Sequence, residues 1–158
     1  MKESDLIEGL NRDLAQELGA ICRAIQQTAL ARGTASHELR VLLNVEIIDD
    51  VFHALFLAEK IAALGGIPTV TPVPYPENLT DARAMVEYDL AAEHQAILQY
   101  TERLEEATAT WSIGLKSRLE RILAEETAHE EGLRSLKKQS TAESMHSGKG
   151  HGGLTHAA

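Results

Sequence analysis

Apolar residues recur at the three- and four-residue steps of a helix through four long stretches of the chain. The first stretch carries Leu6, Leu10, Leu14, Ile21 and Ile25 and runs to about Ala31, with Gly33 just beyond it as a stop. Ser36 is placed to cap a second, through Leu39, Leu42, Leu43, Ile47, Phe52, Leu55 and Leu64, which ends at Gly65 and Gly66. The connection between the two is short, so they are expected to lie antiparallel. A third stretch begins at a Thr80 or Asp81 cap and continues to about Thr108. A fourth starts at Ser112 or a neighbour and ends near Lys138.

Between the second and third stretches the pattern breaks. The segment "IPTVTPVPYPENLT" holds all four prolines, at 68, 72, 74 and 76, which predicts an extended connection with polyproline character. It is long enough to travel the length of a bundle. The predicted fold is all-α: a four-helix bundle over residues 1–139 with one long crossover between the second and third helices. From Ser140 onward the sequence is rich in Gly, Ser and His with no apolar face, and residues 140–158 are expected to form a disordered tail.

Composition narrows the class. The 158 residues fit a single domain, and aromatics make up only 4%, which suits a helical core of aliphatic side chains. Cys22 is the only cysteine, so an intramolecular disulfide and a thiolate zinc site are both excluded; it reads as a small core residue in a protein of the reducing cytoplasm. No apolar run approaches the roughly 20 residues needed to span a bilayer, and the N-terminus lacks the pattern of a secretion signal. Neither a membrane nor a nucleic acid is an expected partner, since a formal charge of −9 opposes contact with phosphates. The same charge suits a protein that attracts cations, although mild acidity also serves solubility.

Candidate chemistry lies in a pattern that occurs twice. The second stretch contains "DVFH", with Asp50 and His53 three residues apart, and the fourth contains "ETAH", with Glu126 and His129 at the same separation. That spacing puts each pair on one helix face. Glu17 in the first stretch and Glu93 in the third precede these motifs by equal distances, so the two halves repeat at an offset of 76 residues. Ala20 and Ala96, Ile21 and Ile97, and Asp49 and Glu125 keep the same offset. Two copies of one helical hairpin packed about a pseudo-twofold axis would gather four carboxylates and two imidazoles in the core, among the apolar neighbours Ile21, Phe52, Ile97 and Ile122. Such a group needs cations, because buried carboxylates otherwise protonate or repel one another. Two divalent ions would balance four negative charges, and carboxylate oxygen with neutral imidazole suits iron or manganese.

At these residues the sequence resembles the ferritin-like superfamily, most closely the bacterioferritins, over about residues 4–138. The motifs that carry the resemblance are "AEKIAALGGIPT", "YDLAAEHQAI" and "ILAEETAHEEGL". It implies two iron ions per subunit, with manganese or zinc as possible substitutes. Glu17 and Glu93 would be terminal ligands, Asp50 and Glu126 bridges, and His53 and His129 one ligand to each ion. The implied activity is that of a ferroxidase, which oxidises Fe(II) with oxygen or hydrogen peroxide and stores or detoxifies the product in a homo-oligomeric shell. The alternatives are a non-storage dinuclear oxidase or peroxidase of the same fold, and a metal-binding protein without oxidase activity.

Three positions depart from the bacterioferritin pattern. Asp50 stands where the family has Glu, which shortens the reach of one bridge; Glu46, one turn earlier, is placed to compensate. Val51 replaces the haem-binding Met, so haem is not expected there. The tail lacks the short apolar helix that helps close the larger shells, which makes a smaller shell or an incomplete assembly credible. Asp49 and Glu125 are candidates to accept the outer ring N–H of a ligating histidine from a neighbouring helix. Tyr100, two turns after Glu93, reads as a core aromatic with a satisfied hydroxyl or as a donor toward the metals. Trp111 reads as a packing residue, and His146, His151 and His156 as parts of a solvated tail.

Overall fold

The structure, a computed structural model, describes residues 3–109 and 113–147. It contains four helices: α1 (Glu3–Leu30), α2 (Ser36–Ala63), α3 (Ala82–Ala109) and α4 (Ile113–Ser147). Helix α1 packs chiefly on α2 and α3 on α4, and α1–α3 and α2–α4 contacts join the two hairpins into one bundle. None of the described helices is long and apolar enough to cross a membrane. Trp111, His151 and His156 lie outside the described residues.

The turns follow from local chemistry. At the end of α2, Gly66 N–H donates to Ile61 O and Gly65 N–H to Ala62 O, with Gly65 at φ +78. This is the double bond of a Schellman stop, which only a residue free to adopt left-handed backbone forms without strain. Asp81 caps α3 by accepting the Ala84 N–H at 3.0 Å, which settles the choice between Thr80 and Asp81. Ser36 does not cap α2 as expected. That position falls to Ala35, at φ 66 and with no side-chain cap bond, because backbone bonds already carry the turn: Ser36 N–H donates to Gly33 O and Leu39 N–H to Ala35 O. The orphan carbonyls at the end of α1 are taken up by two guanidinium groups, Arg32 bonding Ala29, Leu30 and Ala31 and Arg40 bonding Thr28 and Ala31.

The crossover runs along α1 as an extended strap. Asn11 clamps its start by accepting the Thr69 N–H and donating to Ile67 O, and Val73 N–H donates to Ala15 O. Gly19 allows the close approach, because a Cβ there would stand 2.6 Å from Val73 Cγ2. A single bridge between Arg32 and Asp81 ends the run.

The core has three layers. Toward one end of the bundle Leu6, Leu10, Leu57, Ile61, Leu115 and Leu119 form an apolar cluster. Toward the other, Leu39, Leu43, Met85, Val86 and Leu133 form a second. Between and beside them the buried side chains are polar: Asp13, Glu17, Arg23, Gln27, Glu46, Asp50, His53, Asp89, Glu93, Arg103, Glu126 and His129. Periodicity alone misplaces several apolar residues here. Ile25 and Phe52 are exposed, and Cys22 is an exposed free thiol rather than a core residue. The phase of α1 is set after Leu14 by Glu17, Arg23, Ala24 and Gln27, which leaves Ile25 and Cys22 outside. Helix α4 continues past Lys138 to Ser147; Ser140 is buried, its carbonyl accepts from Arg83, and its hydroxyl donates to Lys137 O.

One buried ion pair belongs to this layering. Arg103 Nε donates to Asp13 Oδ2 at 2.7 Å, with both side chains only 1% exposed, and Glu106 also pairs with the guanidinium. Gly9 makes room for it, since a Cβ there would strike the guanidinium at 2.1 Å. Removing one partner leaves the other charge stranded, whereas replacing both does not. Arg103→Met is therefore expected to destabilise the protein by about 3–5 kcal/mol, and adding Asp13→Leu to recover most of that loss. Chemical denaturation of the two variants beside the parent chain checks this.

Candidate metal centre

Each of the four helices contributes to the polar middle of the bundle. Glu17 comes from α1, Asp50 and His53 from α2, Glu93 from α3, and Glu126 and His129 from α4, all buried. Their donor atoms converge into two overlapping sets: Glu17, Asp50, His53 and Glu126 form one, Glu93, Glu126 and His129 the other, with the atoms of each set within 4.8 Å of one another. Glu126 belongs to both and lies between them. Asp50 belongs only to the first, as its missing methylene foreshadows.

The imidazoles are held from outside. His53 Nε2 lies 2.9 Å from Glu125 Oε2 on α4, and His129 Nε2 lies 3.2 Å from Asp49 Oδ2 on α2. The two contacts cross the bundle reciprocally and join the acids and histidines expected from the sequence. A carboxylate accepts, so each Nε2 carries the hydrogen and Nδ1 is left to face inward. Partial burial pushes Glu125 up, but the His53 and Arg121 hydrogen bonds outweigh it and hold its carboxyl below the usual range. On the opposite side the Tyr100 hydroxyl donates to Glu17 Oε1. Tyr100 is thus a core aromatic with a satisfied hydroxyl, and that hydroxyl also gives the expected hydrogen bond toward the site, whereas its first-half counterpart, Ala24, has none to offer.

The inward-facing atoms lack partners. His53 Nδ1, His129 Nδ1, Glu46 Oε1, Glu93 Oε2 and Glu126 Oε1 are all buried without a hydrogen bond. His53 Nδ1 and Glu126 Oε1 stand 2.9 Å apart, an ion pair once the imidazole is protonated. Buried polar atoms are ordinarily satisfied, so several orphans facing one spot mark the place of a missing charge. Carboxylate oxygen and imidazole nitrogen fit iron, manganese or zinc.

Electrostatics describe the same need. Burial and the neighbouring Glu126 charge raise Glu17 to about 7, and burial followed by Asp89 raises Glu46 to about 8. Asp50 and Glu93 are pushed well above the usual carboxyl range, burial being the largest cause. Burial opposes a charge on His53, but Glu126 and Glu17 outweigh it and raise the imidazole to about 11. Without a metal, protons occupy the places of cations.

Several buried polar residues beside the site were not singled out from the sequence. Asp89 accepts from Gln27 Nε2 at 3.0 Å and lies 2.9 Å from Arg23 Nε, while Arg23 Nη2 stands 3.7 Å from Glu93 Oε1. The offset of 76 carries their signal: it relates Asp13 to Asp89, one turn before Glu17 and Glu93, and Gln27 to Arg103. Each half therefore holds a buried aspartate next to its terminal glutamate and sends it a donor from the other half. A slot of about 30 Å³ beside Ala20, Ala92 and Ala96 reaches Glu17, Glu93 and Glu126, enough room for a water-sized molecule.

The family model for the ferritin-like domain of ferritins matches residues 7–140. The chain belongs to the ferritin family. It is 30% identical over 128 residues to a bacterioferritin from Desulfovibrio desulfuricans, covering 81% of this chain and 72% of that protein. Among solved structures, a ferritin-like diiron-carboxylate protein from Bacillus anthracis superposes with a TM-score of 0.82 at 39% identity, covering 87% of this chain and 99% of the other. A dodecameric thioferritin, the bacterioferritin-related protein of Bacteroides fragilis, superposes with a TM-score of 0.84 at 21% identity over 93% and 92% of the two chains.

The shifted groups fix a pH dependence for the metal-free protein. Glu17 and Glu46 bind protons more tightly folded than unfolded, so their contribution falls as pH rises from about 4.5 through 7 and 8; that of His53 is complete below 6.5 and falls toward 11. All three have the same sign. The melting temperature of metal-free protein should drop by more than about 5 °C between pH 5.5 and 8, and saturating zinc(II) should abolish that drop by replacing the protons. Differential scanning calorimetry with and without zinc tests both halves of the statement.

Proposed function

We propose that this protein is a ferroxidase that binds two ferrous ions per chain through Glu17, Asp50, His53, Glu93, Glu126 and His129 and oxidises them with oxygen or hydrogen peroxide. The observation that carries the reading is the pair of overlapping donor sets with their unpartnered, inward-facing atoms. Paired iron ions, when bound, supply the two electrons that a small oxidant takes up. The chain's own residues do the rest. Glu126 ties the two positions together, Glu125 and Asp49 fix the ring orientation of His53 and His129, and Tyr100 holds Glu17. The slot beside Ala20, Ala92 and Ala96, also lined by Gln16 and Arg23, gives a water-sized molecule a way to Glu17, Glu93 and Glu126.

Assembly into a homo-oligomeric shell that stores or detoxifies iron in the cytoplasm is part of the same reading. Its support is an apolar stripe along the outside of α2, where Val41, Val45, Ile48, Phe52 and Leu55 are each more than half exposed. A stripe of this extent on one helix marks a contact surface. Val51 sits beside it, lining an apolar groove of about 370 Å³ with Leu14, Leu18 and Val70; its side chain offers no atom to a haem iron. The same fold builds a dodecamer in the Bacteroides fragilis protein.

Aerobic addition of two ferrous ions per chain should give rapid oxidation, followed by absorbance in the near ultraviolet. Replacing Glu126 and His129 together by Ala should slow it by more than about a hundredfold. An undiminished rate in that double variant would remove the site from the reading. Light scattering on the eluting protein should give a mass many times the 17.2 kDa of one chain, and a monomer or dimer would favour a non-storage enzyme of the same fold.

A further inference from the structure

We infer that Glu46 supplies the second metal position with the carboxylate that Asp50 withholds from it; this rests on the two-metal reading above. The internal repeat calls for one carboxylate from α2 and one from α4 to serve both positions. Glu126 does so, but Asp50 reaches only the first set, which leaves the second with three donors against four. Glu46 lies one turn before Asp50 on α2 and is equally buried, at 5% exposure. Its Oε1 is shielded from solvent and has no hydrogen-bond partner.

Packing gives no reason for an acid there. The offset of 76 places Ile122 opposite Glu46 in the second half, and Ile122 is fully buried in the apolar cluster. The equivalent level in the other half, on the far side of the polar centre, is satisfied by an aliphatic side chain. Nor is Glu46 the counter-charge of a neighbouring cation: the nearby guanidinium of Arg23 pairs with Asp89 at 2.9 Å and approaches Glu93 at 3.7 Å, and among the described residues no ion pair within 4.0 Å reaches Glu46. The other charged groups that act on it, Asp89, Glu126, Asp49, Asp50 and Glu93, are acids. A buried carboxylate among acids, with an unpartnered oxygen and a three-donor set beside it, is placed for a metal. Glu46 stands outside that set in the metal-free arrangement, and its carboxylate is carried on several rotatable side-chain bonds.

The roles predict opposite effects on binding and on stability. In the full chain, titration calorimetry with zinc(II) should show two ions per chain. Glu46→Gln should leave the first ion unchanged and weaken the second by at least ~10-fold. Manganese(II) loaded into the same variant should lose the spin-coupled resonance of a pair and show that of isolated ions. Glu46→Ile, which copies the other half, should raise the melting temperature of metal-free protein by a few degrees, by roughly the relief of an unpaired buried polar group. A second ion bound as tightly by Glu46→Gln as by the parent overturns the assignment and leaves the ferroxidase reading standing. So does a fall in metal-free melting temperature for both variants with binding unchanged, which would make Glu46 a structural counter-charge. A parent chain that binds no zinc or manganese overturns the ferroxidase reading and this inference together. Should Glu46→Ile fail to fold, the near-isosteric Glu46→Gln decides.

Discussion

Carboxylates in the middle of a helical bundle cost several kcal/mol each unless something positive meets them, and the rest of this structure is arranged around that cost. Two apolar clusters, one toward each end of the bundle, supply the aliphatic packing that joins the helices on either side of the centre. The centre is thereby released from packing duty. In a metal-free protein it retains protons on Glu17, Asp50, Glu93 and His53, all of which are raised, while burial pushes Glu126 up but His53 and Glu93 outweigh it and hold Glu126 below the usual range. A site that keeps protons where cations belong is a site that exchanges them for cations.

Precision in such a site comes from residues that never touch the metals. His53 and His129 are aimed by acids on opposite helices, and those acids sit next to ligand carboxylates in the sequence, so one helical turn supplies both a donor and the support for its neighbour's donor. Further out, Asp13 with Arg103 and Asp89 with Gln27 lock α1 to α3 at two levels. The extended crossover then fixes α1 along its length through Asn11, Ala15 and Gly19. Ligand geometry is set by cross-helix bonds, and these in turn require the bundle to close with one register.

The buried cluster of carboxylates and histidines was legible because it repeats. A single acid three residues before a histidine says little, but two such pairs, each preceded at the same distance by a glutamate, define a symmetry that a packed bundle must express in space. The outer acids Asp49 and Glu125 were legible for the same reason. Burial was less so. Helix α2 is apolar on its outward stripe as well as inward, so the helical period that would separate core from surface is blurred, and Phe52 and Leu55 read as core while standing exposed. In α1 the inward face turns polar after Leu14, so following the apolar residues leads to Ile25 and away from Glu17 and Gln27. The cap at Ala35 was hidden because it uses backbone bonds alone.

The symmetry that reveals the site is also broken in ways that matter. Tyr100 faces Glu17 where Ala24 occupies the equivalent position, Arg23 approaches Glu93 where Gln99 is its counterpart, and Glu46 is an acid where Ile122 is aliphatic. Two of these exchange an apolar side chain for a polar one, and the third a neutral amide for a cation, each on one side only. A hydroxyl on Glu17 steadies that carboxylate, whereas a guanidinium near Glu93 draws charge away from its counterpart. The two donor sets consequently differ in donor number, in local charge and in how firmly Glu17 and Glu93 are held. An even pair would bind both ions alike. On the proposed two-metal reading, this sets one firmly supported position beside one whose affinity depends on recruiting an acid, which would be the physical basis for filling in order and for releasing one ion while the other stays.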